Sequence, residues 1–186
     1  MAATAAENRS KTYDMVYIGV FAVIIAICSW ISIPTTVPFT LQTFAVFLAI
    51  GVLGGKRGTL AVFIYILLGA IGIPVFSGFK GGIVALAGTT GGYIVGFLAS
   101  ALLMWGMEKW FGRKKNWVLV LQMIMGLVVC YAIGTVWFMV VYGGSSGAIG
   151  VGTVLGMCVI PFIIPDLIKI AFAFVLSKRV ASIIRM

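Results

Sequence analysis

Long apolar runs, separated by short polar or glycine-rich connections, dominate this chain of 186 residues. Hydrophobic residues make up 62% of the sequence and charged residues only 9%. A soluble domain of this size buries too little surface to hide so many apolar side chains from water. The runs are close to the length of about 20 residues at which a helix crosses the hydrocarbon core of a bilayer. The sequence therefore predicts an all-α membrane protein.

Six of these runs are predicted to be membrane spans, within one transmembrane domain that covers residues 1–186. Pro34 and Pro74 follow the first and third runs, where a proline interrupts a helix. Residues 148–160 are apolar but short and rich in glycine, and we expect a re-entrant or surface helix there. The predicted bundle of six transmembrane helices has spans at about 15–33, 39–53, 59–73, 90–110, 117–142 and 161–184.

Lysine and arginine cluster at alternate ends of the predicted spans and give the chain a net charge of +9. Basic residues of membrane proteins accumulate on the cytoplasmic side, so this charge indicates orientation rather than nucleic-acid binding. Both termini are predicted to be cytoplasmic, in agreement with the even number of spans. The basic residues on this side are Arg9, Lys11, Lys56, Arg57, Lys109, Arg113, Lys114, Lys115, Lys178, Arg179 and Arg185.

Asp166 and Lys169 are ionisable residues inside the last predicted span. A charged side chain near the centre of a bilayer costs about 2.5–3.5 kcal/mol or more. Residues three apart share one face of a helix and can pair. Two interpretations are open: a structural ion pair at the outer end of the span, or a site for a ligand with hydrogen-bond donors and a carboxylate. In the second, Lys169 holds the carboxylate and Asp166 accepts N–H groups, or the roles are shared or reversed.

Polar and glycine-rich segments concentrate on the predicted outer side, at residues 38–43, 77–82, 88–93 and 161–166. Irregular backbone at membrane depth persists where protein or a water-filled cavity satisfies its polar groups. An outward-facing cavity explains these segments together, and aromatic residues such as Phe39, Phe79 and Trp137 are candidates to line it. The candidate ligand-binding residues are Gln42, Lys80, Gly82, Thr89, Thr90, Gly91, Gly92, Tyr93, Asp166 and Lys169.

Small residues four apart in the predicted spans let helices approach closely in lipid. Ala22 and Ala26 form such a pair in the first span, which serves either packing within the chain or docking to another membrane subunit. A stripe of Gly88, Gly92, Gly96 and Ser100 favours packing within the bundle. Cys28, Cys130 and Cys158 lie in apolar runs and are interpreted as small packing residues.

The sequence contains no motif for driving active transport or for catalysis. Residues 51–57 superficially resemble a phosphate-binding loop, but the spacing is wrong and Arg57 replaces the Ser or Thr that would hold magnesium. Histidine is absent, and no nucleophile–base pair is evident, which argues against an enzyme and against a bound cofactor or metal. If the chain transports actively, a partner supplies the energy. The alternative is a self-sufficient secondary transporter with Asp166 as proton carrier.

An ordered set of motifs resembles the BioY biotin-transporter family, over about residues 13–184. The motifs are Pro38–Thr43, the basic turn Lys56-Arg57, Gly69–Phe76, Gly88–Phe97 and Pro161–Lys169. Two positions depart from the family pattern: Thr89 stands where proline is usual, and Pro165 stands where glycine precedes the aspartate. Proteins of this family are the substrate-specific (S) components of energy-coupling factor (ECF) transporters.

The resemblance implies a substrate-binding domain of six helices in a prokaryotic cell membrane, with biotin as transported ligand bound near the outer face. It also implies one transmembrane coupling protein and two cytoplasmic ATPase subunits as partners, with Ala22 and Ala26 on the partner-facing surface. Biotin offers ureido N–H donors, a carbonyl acceptor, an apolar bicycle and a carboxylate, which suit the candidate residues. Another vitamin as ligand is the remaining alternative.

Overall fold

The structure, a computed structural model, describes residues 2–35, 37–112, 115–146 and 150–183, of which 82% are helical. The elements are α1 (Ala2–Trp30), β1 (Ser32–Ile33), β2 (Phe39–Thr40), α2 (Gln42–Leu53), α3 (Gly55–Ala70), α4 (Ile83–Ala87), α5 (Gly91–Phe111), α6 (Asn116–Ser146), α7 (Val151–Cys158) and α8 (Ile160–Ile183).

Within the described residues, four helical segments are long and apolar enough to cross a bilayer: Lys11–Trp30, Gly91–Phe111, Asn116–Gly143 and Val151–Ile183. They overlap the predicted first, fourth, fifth and sixth spans over most of their lengths. The predicted second and third spans correspond to the shorter helices α2 and α3. A short helix, α7, lies within the stretch for which the sequence predicts a re-entrant or surface helix; residues 147–149 are outside the described part of the chain.

Several predicted boundaries are wrong for local reasons. The first span does not reach residue 33, because α1 ends at Trp30 and Ser32–Ile33 form β1. The second span does not begin at residue 39, because Phe39 and Thr40 form β2, which pairs antiparallel with β1 in the register Ile33↔Phe39. The helix in the region of the predicted third span, α3, covers Gly55–Ala70 rather than residues 59–73. It starts early because Gly54 turns the chain within one residue. Its φ of +85° is available to glycine at little cost, so the basic turn becomes the first turn of α3.

The connection between α3 and α5 is ordered by backbone hydrogen bonds. Phe76 and Lys80 form a two-way bridge, with N–O distances of 2.9 and 3.3 Å, around a turn in which Gly78 and Phe79 have positive φ. The Gly82 amide donates to the carbonyl of Gly69 at 2.7 Å, which ties the connection to the end of α3. The segment therefore forms a fixed wall at this end of the bundle.

Polar contacts link helix ends at the opposite, basic end of the bundle. Arg57 at the start of α3 pairs with Asp14 of α1 at 2.8 Å. Glu108 near the end of α5 accepts a hydrogen bond from the Gly55 amide at 2.6 Å. The β1–β2 hairpin, the α3–α5 connection and the first turn of α5 thus lie together at the other end.

Close packing within the bundle accounts for the small-residue motifs. In the α5 stripe, the Ser100 hydroxyl donates to the Gly126 carbonyl of α6, and a Cβ on Gly96 would lie 3.1 Å from the Cys130 carbonyl oxygen. The stripe therefore packs within the chain, as predicted. Ala22 and Ala26 are only 1% and 5% exposed. Their predicted place on a partner-facing surface is wrong, because they pack in the core of the chain.

Candidate ligand-binding site

A cavity of about 550 Å³ opens at the end of the bundle opposite the ion pair of Asp14 and Arg57. Its walls come from the β1–β2 region, the α3–α5 connection, the first turns of α5, the middle of α6 and the first half of α8. Most of the wall is apolar, with a few polar side chains at separate points. Its volume lies within the range of about 300–1,000 Å³ typical of small-molecule sites.

A buried ionic network forms one wall of the cavity. Lys169 Nζ lies 2.7 Å from Asp166 Oδ1 and donates to the Thr40 carbonyl oxygen at 2.7 Å. The Tyr131 hydroxyl donates to Asp166 Oδ2 at 2.6 Å. Asp166 and Lys169 are only 3% and 6% exposed. The cost of burying both charges is offset by their mutual attraction and by these added hydrogen bonds.

The hairpin and the helix α8 position this network. The β1–β2 pairing fixes Phe39 and Thr40. The centroid of the Phe39 ring lies 3.8 Å from Lys169 Nζ, and the Thr40 carbonyl accepts a hydrogen bond from the same ammonium group. Pro165 lies inside α8 and does not end it. The departure from the family pattern therefore leaves Asp166 and Lys169 on one continuous helix, one turn apart.

The network keeps hydrogen-bonding capacity for a ligand. A carboxylate oxygen has two lone pairs, and each oxygen of Asp166 accepts one hydrogen bond within the network. An ammonium group has three donors, of which Lys169 directs two at Asp166 and Thr40. The site thus offers acceptors for ligand N–H groups beside a donor for a ligand carbonyl, and the pair carries no net charge.

Seven of the ten predicted ligand-binding residues line the cavity: Gln42, Lys80, Thr89, Thr90, Tyr93, Asp166 and Lys169. Gln42 is buried and its amide nitrogen donates to the Tyr65 hydroxyl at 3.0 Å. Lys80 is exposed and lies on the α3–α5 connection, as do Thr89 and Thr90. The structure thus brings together residues from four separate segments of the sequence.

Gly82, Gly91 and Gly92 do not line the cavity, and the structure gives them packing and backbone roles instead. Gly82 has a φ of +87° at the entry to α4. A Cβ on Gly91 would lie 1.6 Å from the Leu86 carbonyl oxygen, and one on Gly92 would lie 2.1 Å from Trp137 Cβ. These glycines let the α4–α5 turn and α6 approach α5.

The three aromatic candidates lie outside the cavity lining, contrary to the prediction. Phe39 contacts Lys169 and stacks on Phe162. Phe79 stacks on Trp30 with ring centroids 5.1 Å apart and is 64% exposed, away from the cavity wall. Trp137 supports the site from outside, because its indole N–H donates to the Gly88 carbonyl at 2.9 Å.

Sequence reasoning missed Tyr131, which contacts Asp166 directly. It lies in the middle of the apolar run of α6, and nothing in its local sequence separates it from aromatic residues that face lipid. Cys130 and Cys158 are buried, as expected of packing residues, and both also line the cavity. Within the described residues, no group of three or more His, Cys, Asp or Glu side chains is placed to hold a metal ion.

This molecule is a bundle of apolar helices, and a cavity with a buried polar network opens at one end of it. These features define a membrane protein that binds a small molecule. The chain belongs to the BioY family, whose model matches residues 3–186. A biotin transporter BioY from Thermotoga maritima is 40% identical over 172 residues, covering 91% of this chain and 96% of the relative. A probable biotin transporter BioY from Pyrococcus horikoshii is 40% identical over 170 residues, with the same coverage.

A solved structure has the same fold. The crystal structure of the S component for biotin from an ECF-type ABC transporter superposes with a TM-score of 0.82 and covers 94% of each chain at 26% sequence identity. The family resemblance inferred from the sequence motifs is confirmed by these matches. The relatives are named as transporters, in agreement with the expectation that the chain is not an enzyme.

Proposed function

We propose that this chain captures biotin from outside the cell as the substrate-binding subunit of an ECF-type transporter. The observation that carries the proposal is the buried network of Tyr131, Asp166, Lys169 and Thr40 on the wall of the cavity. Polar groups in a desolvated site favour a ligand that completes their hydrogen bonds and disfavour one that does not. The names of the relatives identify biotin as the vitamin to test first.

The geometry favours the ureido ring of biotin at this network. The Asp166 carboxylate accepts the ureido N–H groups, and Lys169 donates to the ureido carbonyl. The Asp166–Lys169 pair is neutral overall, so it suits a neutral ring better than a second carboxylate. Asp166 thus keeps its predicted role as acceptor of N–H groups, and Lys169 contacts the ureido carbonyl instead of the carboxylate.

Lys80 is the proposed partner of the biotin carboxylate. It is the other basic residue on the cavity wall, and it is exposed on the α3–α5 connection. Thr89 and Thr90 line the same cavity and supply hydroxyl donors. The apolar bicycle and valeryl chain then lie against the apolar wall between the two polar regions.

In the proposed topology, α1, α2, α3, α5, α6 and α8 cross the cell membrane of a prokaryote, with both termini in the cytoplasm. The contacts that link Asp14 to Arg57 and Gly55 to Glu108 gather basic helix ends on one side. The positive-inside rule makes that side cytoplasmic. The cavity, at the opposite end, then opens to the outside.

The proposed partners are a transmembrane coupling protein and two cytoplasmic ATPase subunits. The fold match to an ECF S component supports this assignment, as does the lack of a complete phosphate-binding loop in the sequence. Because Ala22 and Ala26 face inward, a partner contact through α1 would use its exposed face, where Val16, Val20 and Val23 lie.

Equilibrium binding of biotin to the purified chain in detergent tests the capture function, with desthiobiotin, thiamine and riboflavin as comparisons. Tight, selective binding of biotin without nucleotide supports the proposal. Preference for thiamine or riboflavin would assign another vitamin, and a folded protein that binds none of them would refute the assignment. Uptake driven by an ion gradient in vesicles that contain this chain alone would favour the secondary transporter.

A further inference from the structure

A second concave surface lies on the outside of the bundle, between the start of α2 and the second half of α8. It encloses about 360 Å³. Leu41 and Phe44 line it from the α2 side, and Phe172, Val175 and Leu176 line it from α8. Two basic residues of α8, Lys169 and Arg179, complete the lining. We call this surface the α2–α8 groove.

The groove follows one face of α8. Lys169, Phe172, Leu176 and Arg179 are spaced by three, four and three residues, which places them in one stripe along a helix. The adjacent face of α8 packs inward, since Ser177 is buried and meets Gly51 of α2. Large apolar side chains along the stripe stay exposed, with Phe172 at 66% and Leu176 at 40%.

The length and the lining of the groove suit an acyl chain. Ten residues of α8 separate Lys169 from Arg179, which is about 15 Å at 1.5 Å per residue. An extended hydrocarbon chain that lies along α8 over this distance would cover Phe172, Val175 and Leu176. Arg179 then lies at the end of the chain where a charged head group is expected.

The two basic residues of the groove have different roles. The ammonium group of Lys169 is directed at Asp166 and Thr40, so only its aliphatic stem is available to the groove. Arg179 is exposed and lies toward the C-terminal end of α8. A guanidinium group binds phosphate through two parallel hydrogen bonds, and basic residues beside helices bind anionic lipid head groups.

We propose that the α2–α8 groove is a binding site for an anionic phospholipid, with one acyl chain along α8 and the phosphate at Arg179. The apolar wall excludes water from the acyl chain, and the arginine supplies the charge complement at one end. Lys169 lines both this lipid site and the ligand cavity.

Native mass spectrometry of the delipidated full chain, titrated with dioleoylphosphatidylglycerol or dioleoylphosphatidylcholine, tests the proposal. The first phosphatidylglycerol is expected to bind about 5-fold more tightly than phosphatidylcholine, and Arg179→Gln is expected to remove that preference. Lys178→Gln is the matched control, because it removes the neighbouring exposed lysine, which does not line the groove. Val175→Trp, which fills the groove, is expected to weaken binding of both lipids.

Equal losses in Arg179→Gln and Lys178→Gln would indicate diffuse surface charge and overturn the proposal. Equal affinity for the two lipids in the wild type would overturn it as well. A dimer that Val175→Trp dissociates would assign the groove to a second copy of the chain instead. The melting temperature of Val175→Trp establishes whether that variant is folded. If it is not, the comparison of Arg179→Gln with Lys178→Gln decides whether the groove binds an anionic lipid.

Discussion

Lys169 Nζ lies 2.7 Å from the Asp166 carboxylate one turn earlier on α8, and both side chains are more than nine-tenths buried. A buried ion pair is weak evidence for stability by itself, because well-packed apolar residues in its place are often neutral or stabilising. Its position on the wall of the cavity, with Tyr131 and Thr40 completing its hydrogen bonds, gives it a use in recognition. Single and double variants of the pair separate a role in stability from a role in recognition.

Breaking the pair from one side is expected to cost both stability and binding. Asp166→Asn or Lys169→Met leaves an uncompensated buried charge or a lost acceptor, at a cost of about 3–5 kcal/mol for the broken pair. The double variant Asp166→Asn/Lys169→Met removes both charges, so neither is left buried without a partner. It is expected to recover most of the melting temperature that the single variants lose. Biotin binding, measured by calorimetry, is expected to stay lost in all three. A double variant that binds biotin as tightly as the wild type would leave the pair a structural role only.

Tyr131→Phe tests the residue that the sequence did not single out. The variant keeps the ring and loses the hydroxyl that donates to Asp166. A hydrogen bond to a charged group contributes about 1.5–3 kcal/mol to stability, so we expect the melting temperature to fall. Affinity for biotin is expected to fall as well, because Asp166 loses the donor that orients it. Tyr17→Phe on α1, outside the cavity lining, is the control. Equal affinities in the two variants would remove Tyr131 from the site.

Lys80→Gln tests which end of biotin faces the α3–α5 connection. Because the proposed arrangement pairs Lys80 with the carboxylate, the variant is expected to weaken binding of biotin but not of biotin amide, which lacks the negative charge. The exposed position of Lys80 makes the expected effect modest, about 0.5–1 kcal/mol and smaller at high salt. The measurement is the dissociation constant of biotin and of biotin amide, each for the wild type and for Lys80→Gln. Equal weakening of the two ligands would reassign the carboxylate to Lys169.

Cysteine labelling tests the proposed orientation. In a chain without Cys28, Cys130 and Cys158, Val84→Cys places a thiol at the cavity end, where Val84 is 85% exposed. Lys115→Cys places one at the basic end. A membrane-impermeant maleimide is expected to label the first in intact cells and the second only after permeabilisation. The opposite pattern would invert the topology.

The sequence predicted the parts of this fold that depend on composition and helix periodicity. The long apolar runs of α1, α5, α6 and α8 predicted four helices that are long enough to span, and the pair at 166 and 169 predicted a shared polar face. The start of α2 was missed, because the pairing of Phe39 with Ile33 is a contact between segments that no local pattern encodes.

The glycines show where local reasoning about the site stops. Gly91 and Gly92 stand beside Tyr93, which does line the cavity, and they were predicted to bind the ligand with it. Their actual neighbours are Leu86 and Trp137, and the positions of those residues depend on the tertiary packing of α4 and α6. Tyr131 was missed for the same reason, because only the docking of α6 near α8 brings it to Asp166.

A packing role for Gly92 predicts a loss of stability that does not depend on ligand. Gly92→Ala places a methyl group 2.1 Å from the present position of Trp137 Cβ, which forces the indole away from its hydrogen bond to Gly88. Overpacking of this kind costs about 1–3 kcal/mol and is expected to lower the melting temperature with and without biotin. Gly106→Ala in the same helix is the matched control, because nothing lies within 4 Å of its Cβ position and alanine favours the helix by about 0.5–1 kcal/mol. If Gly92→Ala keeps the wild-type melting temperature and loses only biotin affinity, Gly92 belongs to the binding site after all.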